Sequence, residues 1–214
     1  MFRLGILLSL LAQPVLACQL ALVLSMDVSN SIDGGEYRYQ VDGLADALLD
    51  QDVINVLTRD QVALTVVQWS GPDQQMAVLP WRRMLTDAEV RLFAQQVRGM
   101  RRQFLFSKTA IGNALAFSIA QFSAVPDCQR RVIDVSGDGA SNSGIETSNQ
   151  SRRAGLAGIE INGVAIDIMG TSITEYYRRF VITPQGFVLT STGFSDYPRT
   201  IRAKLLRELV KPGS

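Results

Sequence analysis

Three oxygen-bearing side chains, Asp27, Ser29 and Ser31, occupy alternate positions directly after the apolar segment 20–26. An apolar run of this length and composition is typical of a strand that is buried on both faces of a sheet. Ligand sites of open α/β sheets form at the carboxyl ends of such strands. Alternate residues of a turn can point their oxygens toward one centre, and hard oxygens suit hard cations. The stretch therefore indicates a site for an ion such as Mg²⁺.

The composition indicates one folded domain without histidine chemistry. The chain has 214 residues, of which 47% are hydrophobic and 19% are charged, so it can bury a core and is not disordered. It contains no histidine. This excludes every mechanism with a histidine base and every zinc site that is built on histidine.

The N-terminus predicts a secretory signal peptide over residues 1–17. Arg3 supplies a positive charge, residues 4–11 are apolar, and Val15-Leu16-Ala17 places acceptable residues before a cleavage point after Ala17. The apolar stretch is too short and too interrupted for a membrane-spanning helix. We therefore expect an exported domain over residues 18–214, periplasmic or secreted, with no transmembrane segment. A buried N-terminal strand is the alternative interpretation of the same residues.

Charge is distributed unevenly along the chain, although the formal net charge is only +1. Residues 18–75 carry nine acids and two basic residues. Later arginines come in pairs: Arg82-Arg83, Arg101-Arg102, Arg130-Arg131, Arg152-Arg153 and Arg178-Arg179. The pairs are scattered and lack interleaved aromatic residues, which favours solvated surface over an anionic partner and argues against nucleic-acid binding.

Strand and helix patterns alternate along the chain. After the strand at 20–26, helical spacing covers residues 34–49 and a strand pattern covers 62–67. Segment 75–81 is expected to be the antiparallel hairpin partner of 62–67. Further strands are predicted at 130–135, 159–166 and 187–189, and further helices at 86–100, 109–122, 146–156, 173–180 and 197–209. The order predicts an α/β fold with a doubly wound, mostly parallel six-stranded sheet, one antiparallel edge strand and helices on both faces.

Two more oxygen-bearing residues are expected at the same sheet edge. Thr109 begins a predicted helix, and Asp138 lies in a Gly-Asp-Gly turn after a predicted strand. With Asp27, Ser29 and Ser31 they match, in order, a motif of the von Willebrand factor type A (vWA) domain, which the chain resembles over about residues 20–209. That motif is an Asp-x-Ser-x-Ser stretch with a distant Thr and a distant Asp, together called the metal ion-dependent adhesion site, or MIDAS.

The resemblance implies a role for each of the five residues. Ser29 and Ser31 would bind the ion directly, Thr109 directly or through water, and Asp27 and Asp138 mostly through water. Neutral direct ligands leave the ion electrophilic, so it can accept an Asp or Glu carboxylate from a partner protein as its sixth ligand. Mg²⁺ prefers this geometry, and Mn²⁺ would substitute.

Two residues depart from the expected pattern. Lys108 precedes Thr109, where many family members carry a small residue. Its charge would either repel the metal or help to hold an acidic partner, unless the side chain simply points to solvent. Asp134 is a polar residue inside a predicted strand, and we expect it to pair with an arginine or with backbone amides rather than with metal.

The two cysteines are expected to form a disulfide bond. Cys18 lies nine residues before Asp27, and Cys128 lies ten residues before Asp138. If the two strands are neighbours, as in the family's sheet order, both cysteines lie near the opposite edge, within disulfide range. Export would allow the bond to form. Lipidation of Cys18 is the rival interpretation, because residues 15–18 loosely resemble a lipoprotein cleavage box, and it would leave Cys128 unpaired.

These features favour a vWA-type binding module over an enzyme. The chain is also similar to an uncharacterised bacterial group of exported, single-domain members of the superfamily, on the motifs Leu-Val-Leu-Ser-Met-Asp-Val-Ser, Val-Gln-Trp-Ser and Ile-Asp-Val-Ser-Gly-Asp-Gly. One alternative is a metal-assisted phosphoryl hydrolase with Asp27 as nucleophile, which lacks a second nearby acid and a histidine base. The other is a structural domain whose metal only locks the loops.

Overall fold

The computed structural model describes residues 18–105, 107–168 and 170–210, and these residues form an α/β domain around a six-stranded sheet. The strands lie in the order β3-β2-β1-β4-β5-β6, and β3 runs antiparallel at one edge while the other five are parallel. Their bounds are β1 Leu20–Asp27, β2 Ala63–Trp69, β3 Gln75–Arg83, β4 Arg130–Gly137, β5 Ile159–Ile166 and β6 Val188–Ser191. The predicted fold class is confirmed.

Seven α-helices connect and cover the strands of the described region. They are α1 Gly34–Leu48, α2 Gln51–Arg59, α3 Asp87–Arg98, α4 Ile111–Gln121, α5 Thr147–Leu156, α6 Ser172–Tyr176 and α7 Tyr197–Leu209. A π-helical turn, Tyr177–Val181, continues α6, and short 3₁₀ turns lie at Phe122–Ala124 and Phe194–Asp196. Asp33 caps α1 reciprocally with Glu36, so the chain turns into a helix directly after the first oxygen-bearing stretch.

The central strand β1 is buried on both faces because its side chains alternate between two hydrophobic clusters. Leu22, Leu24 and Met26 pack with residues of α1, α2, α3 and α7, whereas Ala21 and Val23 pack with residues of α4, α5 and the α6 region. This alternation is the usual consequence of the two-residue period of a strand. It places the last residue of β1, Asp27, on the same face as Ala21 and Val23.

Two differences from the predicted elements have local causes. Helix α2 was not predicted, because only Leu49 and Asp50 separate it from α1. Asp50 caps it by accepting hydrogen bonds from the amides of Asp52 and Val53. Helix α4 begins at Ile111 rather than at Thr109, which leaves Thr109 in the loop that precedes the helix.

Cys18 and Cys128 form a disulfide bond at the amino-terminal edge of the sheet, with their Cα atoms 4.5 Å apart. Strands β1 and β4 are neighbours, as the expectation required. The predicted pairing is confirmed, and a Cys18 sulfur in this bond is not free for a lipid thioether. None of the helices in the described region has the length and apolarity to span a membrane. The predicted signal peptide, residues 1–17, lies outside the described residues.

Candidate metal centre

Asp27 ends β1 with its side chain buried beneath the following loop. The residue has no solvent-exposed area, and its Oδ1 accepts a hydrogen bond from the Ser29 amide at 2.7 Å. The Val28 amide donates to the Trp69 carbonyl of β2 at 2.9 Å, which keeps the loop aligned with the neighbouring strand. The carboxylate is therefore fixed by local turn geometry, and its second oxygen, Oδ2, has no hydrogen-bond partner in the described region.

The remaining four predicted side chains meet directly above Asp27. The Thr109 hydroxyl donates to Ser29 Oγ at 3.1 Å, Ser29 Oγ lies 3.4 Å from Ser31 Oγ, and the Ser31 hydroxyl donates to Asp138 Oδ1 at 2.8 Å. These contacts join the loop after β1, the loop before α4 and the end of β4. Ser29 and Thr109 are almost fully buried, whereas Ser31 is exposed, so the cluster opens to solvent on one side.

Asn142 positions Thr109 through the backbone. The Asn142 side-chain Oδ1 accepts a hydrogen bond from the Thr109 backbone amide at 3.0 Å, and the Asn142 backbone amide donates to the Thr109 carbonyl at 2.9 Å. The Ala110 amide donates to the Ser70 carbonyl at 2.9 Å, which ties the same loop to the end of β2. The loop after β4 thus holds the loop before α4 in place.

Arg102 fixes the loop after β1 from the opposite side. Its guanidinium donates to the Val28 carbonyl from Nε at 3.1 Å and from Nη2 at 2.9 Å, and Nη2 also donates to the Ser29 carbonyl at 2.7 Å. The Asn30 amide donates to the Ser107 carbonyl at 3.1 Å, so the segment that carries Arg102 lies along this loop. Arg102 belongs to a pair, Arg101-Arg102, that was expected to be solvated surface. Its contacts instead hold the loop of the candidate centre in place.

Burial raises the pKa of both carboxyl groups of the centre, Asp27 and Asp138, when no cation is near. Burial raises the pKa of Asp27 to about 7. The hydrogen bond from the Ser29 amide lowers this pKa in part, and the nearby charge of Asp138 raises it further. Burial also raises the pKa of Asp138, and the hydrogen bond from Ser31 opposes that rise. A cation among these oxygens would favour the ionised form of both groups.

The oxygen set fits a hard divalent cation. At Mg–O distances of 2.0–2.1 Å, neighbouring ligands of an octahedron lie about 3 Å apart, and the observed separations of 2.8, 3.1 and 3.4 Å bracket that value. The described residues contain no cluster of three or more His, Cys, Asp or Glu side chains that could hold a metal. Three of the four oxygens that these contacts join belong to hydroxyl groups, and hard oxygens of this kind suit Mg²⁺ or Mn²⁺ better than softer metals.

A cleft of about 520 Å³ opens above the cluster. Its lining includes Ser31, Thr109 and Asp138, but not Asp27 or Ser29. Lys108 also lines it, with an exposed side chain that forms no ion pair within the described part of the chain. Lys108 therefore points to solvent at the wall of the cleft, as one of the expectations for it had it.

A larger cleft, of about 670 Å³, lies at the opposite edge of the sheet and is lined by residues next to the disulfide. Its two arginines are already engaged with backbone: Arg131 donates to the Ala157 carbonyl at 2.7 Å and Arg130 reaches the Glu208 carbonyl at 3.5 Å. It contains none of the five predicted oxygen-bearing residues. Size alone therefore does not mark the functional site.

A family model matches residues 17–213, nearly the whole chain. The chain belongs to the DUF1194 family. That family is described as protein of unknown function, so membership brings no activity with it. No curated protein matches this DUF1194 chain significantly.

Solved structures show that this DUF1194 chain has a vWA-like fold. Proximal thread matrix protein 1 from the mussel byssus, with a zinc-occupied MIDAS motif, is 20% identical with a TM-score of 0.66, over 90% of this chain and 48% of that one. A von Willebrand factor type A protein from Catenulispora acidiphila is 19% identical with a TM-score of 0.63, over 89% and 43%. The pilus adhesin SpaC from Lactobacillus rhamnosus GG is 11% identical with a TM-score of 0.65, over 93% and 31%. The chain thus spans less than half the length of each.

Proposed function

We propose that this chain is an exported binding module that holds Mg²⁺, or Mn²⁺ in its place, and engages an acidic side chain of a partner protein. The observation that carries the proposal is the convergence of four oxygen-bearing side chains, from three separate segments, through contacts of 2.8–3.4 Å at the carboxyl edge of the sheet. The fifth, Asp27, is held against them by the Ser29 amide at 2.7 Å. The zinc-occupied MIDAS motif of the mussel protein supports it by analogy of fold.

Each residue would have a distinct task at the ion. Ser29, Ser31 and Thr109 would supply neutral oxygens, while Asp27 and Asp138 would orient hydroxyls and waters and balance charge. A bound Mg²⁺ would supply an electrophilic position for a partner carboxylate. The open side of the cluster, at Ser31 and Asp138, faces the cleft that a partner side chain would enter.

The surroundings of the cleft suit a protein partner with an acidic residue and apolar neighbours. Lys108 adds positive charge at the cleft wall. Leu105 and Ile145, on the two loops that flank the cleft, are 56% and 44% exposed. Exposed apolar side chains around a charged centre are a common composition for protein interfaces. A disulfide bond and the predicted signal peptide support export, to the periplasm or the exterior.

The hydrolase alternative is weakened by the position of Asp27. A nucleophilic carboxylate must reach the substrate, but Asp27 has no exposed area and does not line the cleft. Its Oδ1 is also engaged by the Ser29 amide. We therefore propose binding rather than catalysis. The purely structural alternative predicts that removal of the ion lowers thermal stability and leaves partner binding unchanged.

Metal binding is tested by calorimetric titration of Mg²⁺ and Mn²⁺ into the metal-free protein and into Ser29→Ala. We expect saturable binding and an increase in melting temperature for the wild type, and at least tenfold weaker binding for Ser29→Ala because one direct ligand is lost. Ser118→Ala is the matched control, since Ser118 is also fully buried and also contacts another serine, Ser25, at 3.3 Å. Absence of binding to the wild type would sink the proposal.

Partner binding is tested by capture from the exported fraction in Mg²⁺ and in EDTA, with wild type and Asp138→Asn as bait. A partner that fits the proposal is retained only by wild type in Mg²⁺. Each candidate is then re-expressed with its acidic residues changed to amides, and one such change should abolish retention. Retention that persists in EDTA would favour the structural alternative.

A further inference from the structure

Two buried oxygen atoms beside Gly137, at the end of β4, have no hydrogen-bond partner among the described residues. One is Asp27 Oδ2 and the other is the hydroxyl oxygen of Tyr177, and neither residue has any exposed area. A buried carboxylate oxygen or phenol hydroxyl without a partner is costly, so native structures satisfy nearly all such groups. Two of them in one place call for a common explanation.

Gly137 shows that these two oxygens face the same small space. A Cβ atom at Gly137 would lie 2.8 Å from Asp27 Oδ2 and 2.8 Å from the Tyr177 hydroxyl. The two oxygens therefore lie no more than twice that distance apart, which one water molecule can bridge. Gly137 has no positive φ. The residue is needed here because a side chain would fill the space between the two oxygens.

The Tyr177 ring is held in place by a second glycine. A Cβ atom at Gly163, in β5, would lie 2.6 Å from Tyr177 Cδ1, so only glycine lets the ring lie against this strand. Tyr177 begins the π-helical turn after α6 and belongs to the same hydrophobic cluster as Ile133 and Val135 of β4. Its hydroxyl is thereby directed beneath the end of β4.

Tyr177 is chemically suited to donate to Asp27. Burial, together with the nearby charge of Asp27, raises the pKa of the Tyr177 hydroxyl well above its ordinary value, so the group keeps its proton. Asp27 Oδ1 already accepts from the Ser29 amide, which leaves Oδ2 as the acceptor. A protonated phenol and a carboxylate oxygen that lacks a donor are complementary.

We propose that Tyr177 is a positioning residue of the metal centre, whose hydroxyl donates to Asp27 Oδ2 across one water. The inference rests on the proposed metal site. The hydroxyl stabilises the ionised carboxylate and fixes its orientation from below, while the Ser29 amide fixes it from above. The β5–α6 region thus supports a centre whose predicted ligands all lie on other elements.

The test is calorimetric titration of Mg²⁺ into wild type, Tyr177→Phe and the matched control Tyr197→Phe. Tyr197 is equally buried, but it packs in the hydrophobic cluster on the opposite face of the sheet, and its hydroxyl is hydrogen-bonded with the Ser136 side chain. We expect Tyr177→Phe to weaken Mg²⁺ binding about tenfold or more, the usual effect of losing a group that orients a ligand. Tyr197→Phe should leave Mg²⁺ affinity unchanged. Melting temperatures in EDTA show whether each variant is folded.

Gly137→Ala provides a second variant that does not depend on the loss of the phenol. The added methyl group would fill the space between the two oxygens and should weaken Mg²⁺ binding as well. Because both changes remove the same connection, the double variant should bind no more weakly than the weaker single variant. Equal affinities of Tyr177→Phe and wild type overturn the inference and leave the metal site standing. Failure of wild type to bind Mg²⁺ removes the proposed function itself.

Discussion

Neutral hydroxyl groups outnumber carboxylates at the candidate centre. Ser29, Ser31 and Thr109 are joined by contacts of 3.1 and 3.4 Å, and Asp138 joins the set through Ser31 at 2.8 Å. An ion held mainly by neutral groups keeps more of its charge for an external ligand than one enclosed by carboxylates. This composition supports the proposed capture of an acidic group over the alternative of a purely structural ion.

Arg102 should be as important to this centre as a ligand. Replacement by Gln removes the charged guanidinium that donates to the Val28 and Ser29 carbonyls. We expect a decrease of about 1–3 kcal/mol in the free energy of unfolding, by chemical denaturation, because hydrogen bonds to charged groups are lost. Mg²⁺ affinity should also decrease, since the Ser29 backbone is no longer held.

Two further variants separate the geometry of Arg102 from its charge. Arg102→Lys keeps the charge but not the planar fork, so it should recover only part of both effects. Arg101→Gln is the control, because Arg101 is the exposed member of the same pair. Equal losses in Arg101→Gln and Arg102→Gln would contradict this role.

Helix α7 is joined to the sheet by a buried ionic cluster. Lys204 Nζ lies 2.6 Å from Asp134 Oδ1 of β4 and 2.5 Å from Glu208 Oε1, and Asn162 of β5 donates to the same Glu208 oxygen at 2.9 Å. Asp134 was expected to pair with an arginine or with backbone amides, whereas its partner is a lysine on α7. Two acids share one cation here, so this contact between helix and sheet is sensitive to protonation.

The cluster should make stability depend on pH. Burial raises the pKa of Glu208 from 4.5 to about 7 against the charge of Lys204, and burial also raises the pKa of Asp134. The folded state therefore binds more protons than the unfolded state in this range. The free energy of unfolding should decrease as pH rises from about 4.5 to about 7.

Glu208→Gln should make that decrease shallower, as measured by urea denaturation at several pH values in EDTA. The change keeps the shape of the side chain and removes its titration. Glu175→Gln, at an exposed position of α6, is the control and should follow the wild-type curve. Parallel curves for Glu208→Gln and wild type would mean that Glu208 is not the group that titrates.

Segments far apart in the chain are connected at two opposite edges of the sheet. The candidate metal centre joins three segments at the carboxyl edge, and the Cys18–Cys128 disulfide joins residues 110 positions apart at the other edge. Both connect the neighbouring strands β1 and β4. The disulfide constrains the unfolded chain, whereas the metal would stabilise only the folded state. The two contributions should therefore be separable.

Removal of the disulfide in Cys18→Ala/Cys128→Ala should lower the free energy of unfolding by up to about 4–5 kcal/mol, the chain-entropy value for a loop of this length. Denaturation in urea measures the change, and wild type in a thiol reductant should show a similar loss. Mg²⁺ affinity of the folded variant should be unchanged because the bond lies far from the centre. Intact mass provides a direct check: reduction should add two hydrogens, and an acyl-glyceryl group on Cys18 would contradict the bond.

Much of the fold and most of the candidate site could be predicted from local patterns. The apolar run that ends at Asp27, the alternation of strands and helices and the motif residues Ser29, Ser31, Thr109 and Asp138 are all visible in the chain. They are visible because strand burial, helix periodicity and turn chemistry act over a few residues. Parallel strands also bring their carboxyl ends to one edge, so strand-end residues can be expected to meet.

The tertiary structure alone decided which distant side chains support that site. These supporting contacts join segments far apart in sequence. Arg102 binds the loop after β1, Asn142 binds Thr109, Tyr177 lies beside Asp27 and Lys204 pairs with Asp134. Each depends on strand register, on the face to which a side chain points and on the space that a glycine leaves. Those quantities are set by packing of the whole domain, so no local pattern encodes them.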